Sequence, residues 1–157
     1  MCIRDRFITD ELLENIDTCI LDLKPSKLFI NIGTNDLSNP DITIAQMVDH
    51  YDQILCQVKA ALPDVKLYLM AYYPVNYDAA TEEMKPCLLV RTNPKIAEAN
   101  AAVKKLAEKY HAKYMDINDP LKDENGNLKA EYTIEGMHIK EEGYRAIFPK
   151  FIRYAME

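Results

Sequence analysis

Glycine is scarce in this chain, and serine is scarcer. Only Gly33, Gly126, Gly136 and Gly143 occur in 157 residues. They are too scattered to build the glycine-rich loop that cradles a phosphate chain. Serine occurs twice, as Ser26 and Ser38. Any chemistry that needs a nucleophilic serine therefore has two candidates in the given sequence. The cysteines, Cys2, Cys19, Cys56 and Cys87, include no pair with the C-x-x-C spacing of a zinc or redox site. Their scatter suits free thiols in a reducing compartment and favours a cytoplasmic location. Positive charge is in deficit, with 19 Lys and Arg against 25 Asp and Glu and a net charge of −6. That balance argues against nucleic-acid binding, which needs clustered cations to displace counterions, and against docking on anionic lipid. No apolar run approaches the roughly 18 residues of a membrane span.

What is present is a globular mixture, 48% apolar and 28% charged. The length suits one domain. Thr9 to Leu23 predicts a helix, with Leu12, Leu13, Ile16, Cys19, Ile20 and Leu23 on one face and Thr9 available as a cap. Leu28–Ile32 reads as a short buried strand. Thr43 and Gln46 have capping-box spacing at the start of a second helix, which Pro63 stops. Lys66–Tyr72 predicts the next strand, followed by a loop from Tyr73 to Thr92. Asn93 and Pro94 predict the N-cap and first position of a third helix, running to about Tyr110. Lys113–Ile117 is a third strand. A long connection with a turn at Asn125-Gly126 then leads to a helix over Glu141–Ala155, which Pro149 should kink or interrupt. Strands alternating with helices predict a parallel sheet covered on both faces.

Ligands of such sheets bind at the carboxyl ends of the strands. The first strand delivers Gly33-Thr34-Asn35-Asp36 there. Asn35 offers a neutral amide suited to a developing oxyanion, although Asn35 and Asp36 could equally form an Asx-type turn. The second segment is Glu135-Gly136-Met137-His138, followed by Gly143-Tyr144. A carboxylate three residues before a histidine can orient its ring, and histidine ordinarily titrates near enough to neutrality to act as a general base. A bystander histidine in a surface loop is the plainer alternative. His50, His111 and Met137 favour solvated, helix-end and packing roles. Tyr72, Tyr73 and Tyr77 could line a pocket or belong to the core and rim.

Taken together, the two segments resemble blocks three and five of the SGNH (GDSL) hydrolase superfamily, over nearly all of Phe7–Glu157. The resemblance implies a three-layer α/β/α sandwich, flavodoxin-like, with parallel strand order 2-1-3-4-5. It implies a GDSL-type esterase or acylhydrolase with His138 as base, Glu135 as the acidic member of the triad where aspartate is usual, and Asn35 in the oxyanion hole. Gly33 matches the glycine of the same block. No metal or organic cofactor is implied. The substrate is expected to be a small ester: an acylated carbohydrate, a short acyl ester or a lysophospholipid.

Two parts of the family pattern have no counterpart. The family's nucleophilic serine follows the first strand, before everything seen here, and neither Ser26 nor Ser38 sits in a strand-to-helix elbow. Arg4, Asp5 and Arg6 occupy the stretch where the family has an oxyanion-hole glycine. Met1–Arg6 also resembles translated sequencing-adapter DNA. Residues 1–6 are thus expected to be a non-native leader, and 7–157 a partial domain lacking its first two strands and inactive as it stands. Such a fragment should self-associate through its exposed strand edge. Two rival readings remain: a non-catalytic α/β binding module that lost its nucleophile, and metal-assisted phosphoester hydrolysis through Asp36 and His138.

Overall fold

The computed structural model describes residues 7–157, so the expected leader lies outside the described residues. Three parallel strands, β1 (Lys27–Ile30), β2 (Lys66–Met70) and β3 (Lys113–Met115), form one sheet in that order. Leu28 pairs with Leu67, Ile30 with Leu69, and Leu69 with Tyr114. Successive side chains point to opposite faces of a strand, and that alternation sorts two cores. Ile30, Leu67 and Leu69 face α3 (Ile44–Ala61) and α5 (Asn93–Lys109). Phe29, Tyr68 and Met70 face α6 (Glu141–Ala155). Phe29 stacks on Tyr68 at 4.4 Å and meets Phe151 at 5.3 Å, while Tyr154 meets the Tyr68 ring edge-on. This is the expected α/β/α layering.

The Thr43–Gln46 capping box forms as predicted, each residue bonding the other's backbone N–H. Met47, Ile54, Leu55 and Val58 then bury one face of α3 completely, each contributing about 1.5–3 kcal/mol of apolar burial.

Several boundaries differ from expectation. The first helix breaks: α1 covers Thr9–Glu14, and a π-helical turn follows over Asp17–Leu21. At the break the Asn15 side chain donates back to the Glu11 carbonyl, competing with the backbone ladder. Thr9 does not cap α1. Ile8 is the N-cap, and its N–H is taken by the Glu11 carboxylate. The loop Tyr73–Thr92 contains a further helix, α4 (Lys85–Val90), too short to show periodicity. Thr92, not Asn93, caps α5 through Lys95. The Asn93 amide is instead spent on both backbone groups of Val75. Finally, α6 runs through Pro149. Ile147 before it and Phe151 and Tyr154 after it dock on one sheet face, and that packing outweighs the lost hydrogen bond.

Among the described residues β1 pairs only with β2. A hollow of about 280 Å3 runs along its free side, walled by Leu12, Ile20, Leu28 and Ile30 among others. No helix among the described residues is long and apolar enough to cross a membrane.

Candidate active site

Beyond the carboxyl ends of β1 and β2 lies a cavity of about 240 Å3, lined by Thr34, Asn35, Tyr73, Arg91, His138 and Tyr144 among others. Two loops bring these groups together.

The first leaves β1 at Gly33, whose φ of +105° only glycine adopts without strain. A side chain there would also meet the Tyr72 hydroxyl at 2.5 Å and the Met47 sulfur at 2.8 Å. Gly33 therefore shapes the turn against the core, and it caps the short helix α2 (Thr34–Ser38). Asn35 reaches the cavity, and its Nδ2 donates to the Phe7 carbonyl at 3.0 Å. Asp36 turns the other way. It is 1% exposed and accepts from the Thr9 N–H at 3.0 Å and the Thr9 hydroxyl at 2.5 Å. It does not line the cavity with His138, which removes the pairing that the phosphoesterase reading needed. Among the described residues no group of three or more His, Cys, Asp or Glu could hold a metal ion.

The second loop is pinned at Gly136. Its φ is +89°, and a Cβ there would strike the Asn76 carbonyl and Ala80. Asn76 N–H donates to the Gly136 carbonyl at 2.8 Å, Gly136 N–H donates to Thr133 Oγ1 at 3.0 Å, and Thr133 bridges Ile139. Within this loop Glu135 Oε1 meets both the His138 backbone N–H at 2.5 Å and His138 Nδ1 at 3.1 Å. The glutamate's extra methylene is thus taken up by curling the carboxylate onto its own turn. The pair is asymmetric: the Glu135 side chain is 20% exposed and that of His138 is 76% exposed. With Nδ1 bonded to a carboxylate, Nε2 is the nitrogen left to accept a proton.

The two serines stand elsewhere. Ser26 is exposed at the amino end of β1, and the Ser38 hydroxyl leans on the Thr34 carbonyl. Of the tyrosines, Tyr72 is core, donating to the Ile32 carbonyl at 2.6 Å. Tyr73 lines the cavity, where burial and Tyr144 push its phenol up to about 12, so it stays a hydrogen-bond donor. Tyr77 is exposed. His50 is not simply solvated: its Nδ1 lies 3.3 Å from the Thr9 hydroxyl. Arg91 was not singled out in the sequence, where its only signal is a lone charge after Cys87-Leu88-Leu89-Val90. A larger hollow of about 500 Å3 is walled by Asn93, Asn100 and Asn118. Their amides are largely spent on the Tyr72 and Val75 backbone.

The chain belongs to the GDSL-like lipase/acylhydrolase family, whose model matches residues 7–146. No curated protein matches it significantly. Among solved structures, it is similar to a protein from Streptococcus pneumonia described as a platelet activating factor. That match has 32% identity and a TM-score of 0.83, and covers 94% of this chain and 68% of the other. A GDSL-like lipase from Bacteroides thetaiotaomicron matches at 22% identity and a TM-score of 0.77, over 96% of this chain and 71% of that one. An acetylxylan esterase from Geobacillus stearothermophilus, solved as a catalytic mutant, matches at 15% identity and a TM-score of 0.72, over 94% of this chain and 67% of its own. The last two likenesses speak to the fold.

Proposed function

We propose that the protein is a carboxylic ester hydrolase in which His138, oriented by Glu135, is the general base. The observation that carries this reading is the Glu135–His138 contact at 3.1 Å on the wall of the cavity that also holds Asn35. A serine hydroxyl gives its proton to His138 Nε2 as its oxygen attacks the ester carbonyl. The imidazolium so formed is stabilised by Glu135. Asn35 donates its second amide hydrogen to the oxyanion. Collapse of the tetrahedral intermediate expels the alcohol with a proton from His138, and water, activated by the same nitrogen, releases the acyl group.

The nucleophile is assigned to sequence preceding Phe7 in the natural protein. Neither Ser26 nor Ser38 lines the cavity, and β1 has a free apolar side where further strands would pair, which supports this assignment. Residues 1–6 are then a leader foreign to the domain. The substrate is a small ester, either a short acyl ester or an acetylated carbohydrate like that implied by the name of the Geobacillus esterase. Expressed alone, the chain self-associates through β1, detectable by light scattering at roughly tens of micromolar; a stable monomer there would count against the free edge.

The decisive test joins Phe7–Glu157 to its natural upstream sequence and follows p-nitrophenyl acetate. Activity is expected in the joined protein and not in the 157-residue chain, and His138→Ala should reduce it to the denatured control. Full activity after His138→Ala would overturn the reading. A joined protein without activity would favour a binding module, the reading that the absence of a serine on the cavity wall otherwise supports.

A further inference from the structure

Arg91 follows α4, in the segment between β2 and α5, and its side chain lines the cavity that holds His138 and Asn35. It is 4% exposed, and its Nε is buried without a hydrogen-bond partner. Among the described residues no carboxylate lies within ion-pair distance of its guanidinium. The contrast with Arg145 is plain: that side chain is exposed and paired with Glu141. The acidic groups near the cavity are already committed. Glu135 directs Oε1 to His138, and Asp36 is spent on Thr9. Burial pulls the Arg91 guanidinium down to about 10, and the nearby Cys87, Tyr72 and Glu135 oppose that shift only in part. It remains cationic at neutral pH.

A buried, unpaired guanidinium is costly, and a fold that keeps one on a cavity wall gains when an anion enters. We infer that Arg91 is an anion seat, and that the ester taken by this pocket carries a carboxylate close to its scissile bond. The guanidinium fork matches a carboxylate with two parallel hydrogen bonds. Arg91 is the only Lys or Arg on this cavity wall, which suits a monoanion better than a doubly charged phosphate. The hydroxyls of Thr34, Tyr73 and Tyr144 complete a polar rim. The word ester rests on the function proposed above; the anion seat does not.

The test therefore reads binding alone, on the 157-residue chain. The Arg91 Nε–Hε resonance is followed by NMR as acetate is added at about pH 8, where histidine is ordinarily neutral. Acetamide is the neutral control and inorganic phosphate the competing anion. Acetate is expected to give a saturable shift at Arg91 and acetamide none. Arg91→Gln should lose the saturable shifts of neighbouring cavity amides, and Arg91→Lys should weaken them. Equal responses to acetate and acetamide, or unchanged saturation in Arg91→Gln, would overturn the seat. Tighter binding of phosphate than of acetate would overturn the choice of carboxylate. Intact acetate binding beside a joined protein that hydrolyses no ester would sink the esterase reading and leave the seat standing.

Discussion

The two loops that meet at the cavity are held in opposite ways. Every residue from Gly33 to Asp36 has a structural duty: Gly33 presses on Tyr72 and Met47, Thr34 bonds Asn31, Asn35 holds Phe7, and Asp36 anchors Thr9. The loop from Thr133 to His138 is fixed chiefly at Thr133 and Gly136, while Ile134 and the His138 side chain stand 76% exposed. The first loop gains its precision from burial. The second is cheap to move, and mobile site loops are drawn from the less stable parts of a fold. An oxyanion donor must be fixed before charge develops, whereas a base must turn between two proton transfers. The division of rigidity follows that difference in duty.

The contrast can be broken most forcefully at Asp36. Asp36→Ala leaves the buried Thr9 N–H and hydroxyl without their acceptor. It should cost about 3 kcal/mol in urea unfolding, since each stranded buried donor costs roughly 1–3 kcal/mol. A change below about 1 kcal/mol would show that the first loop is not anchored there. Gly33→Ala should follow, at about 2 kcal/mol, from its positive φ and the contact with the Tyr72 hydroxyl. Gly126→Ala sharpens the reading, because nothing lies within 4 Å of that site and only the φ of +81° resists; about 1 kcal/mol is expected.

Gly136→Ala should behave differently. The steric conflict with Asn76 is as severe as at Gly33, but the loop can lift away. Global stability should fall by only about 1 kcal/mol, while the His138–Glu135 contact disappears from the histidine ring NMR spectrum. An equal loss of stability at Gly33 and Gly136 would erase the distinction between the loops.

The smallest effect lies far from both. Burial raises the Asp52 carboxyl, but hydrogen bonds from Lys109 and Tyr110 outweigh it and hold its pKa below the usual value. A folded-state pKa below the unfolded one stabilises above the unfolded value, and that stability is lost as pH falls through the folded value. Asp52→Asn should therefore cost less than about 1 kcal/mol at neutral pH, the pair being partly exposed. The cost should vanish on acidification below the ordinary carboxylate range, as thermal melts at stepped pH would show.

The sequence was informative where periodicity and capping act locally. The α3 capping box, the alternation in β1 and β2, and the extent of α6 could all be read directly. It misled where a side chain chose a distant partner: Asn93 binding Val75 in place of its own helix, or Asp36 binding Thr9 across 27 positions. The site was legible as two short segments, because each motif places its groups within one turn. Arg91 was not, because nothing about an isolated arginine announces that tertiary packing will bury it without a partner.

The central claim is that His138 activates a serine lying outside the described residues. A fluorophosphonate probe applied to the protein joined to its natural upstream sequence, with the adduct mapped by mass spectrometry, tests it most directly. The account predicts one labelled serine upstream of Phe7, with labelling lost in His138→Ala. An adduct on Ser26 or Ser38, or labelling that survives His138→Ala, would contradict it.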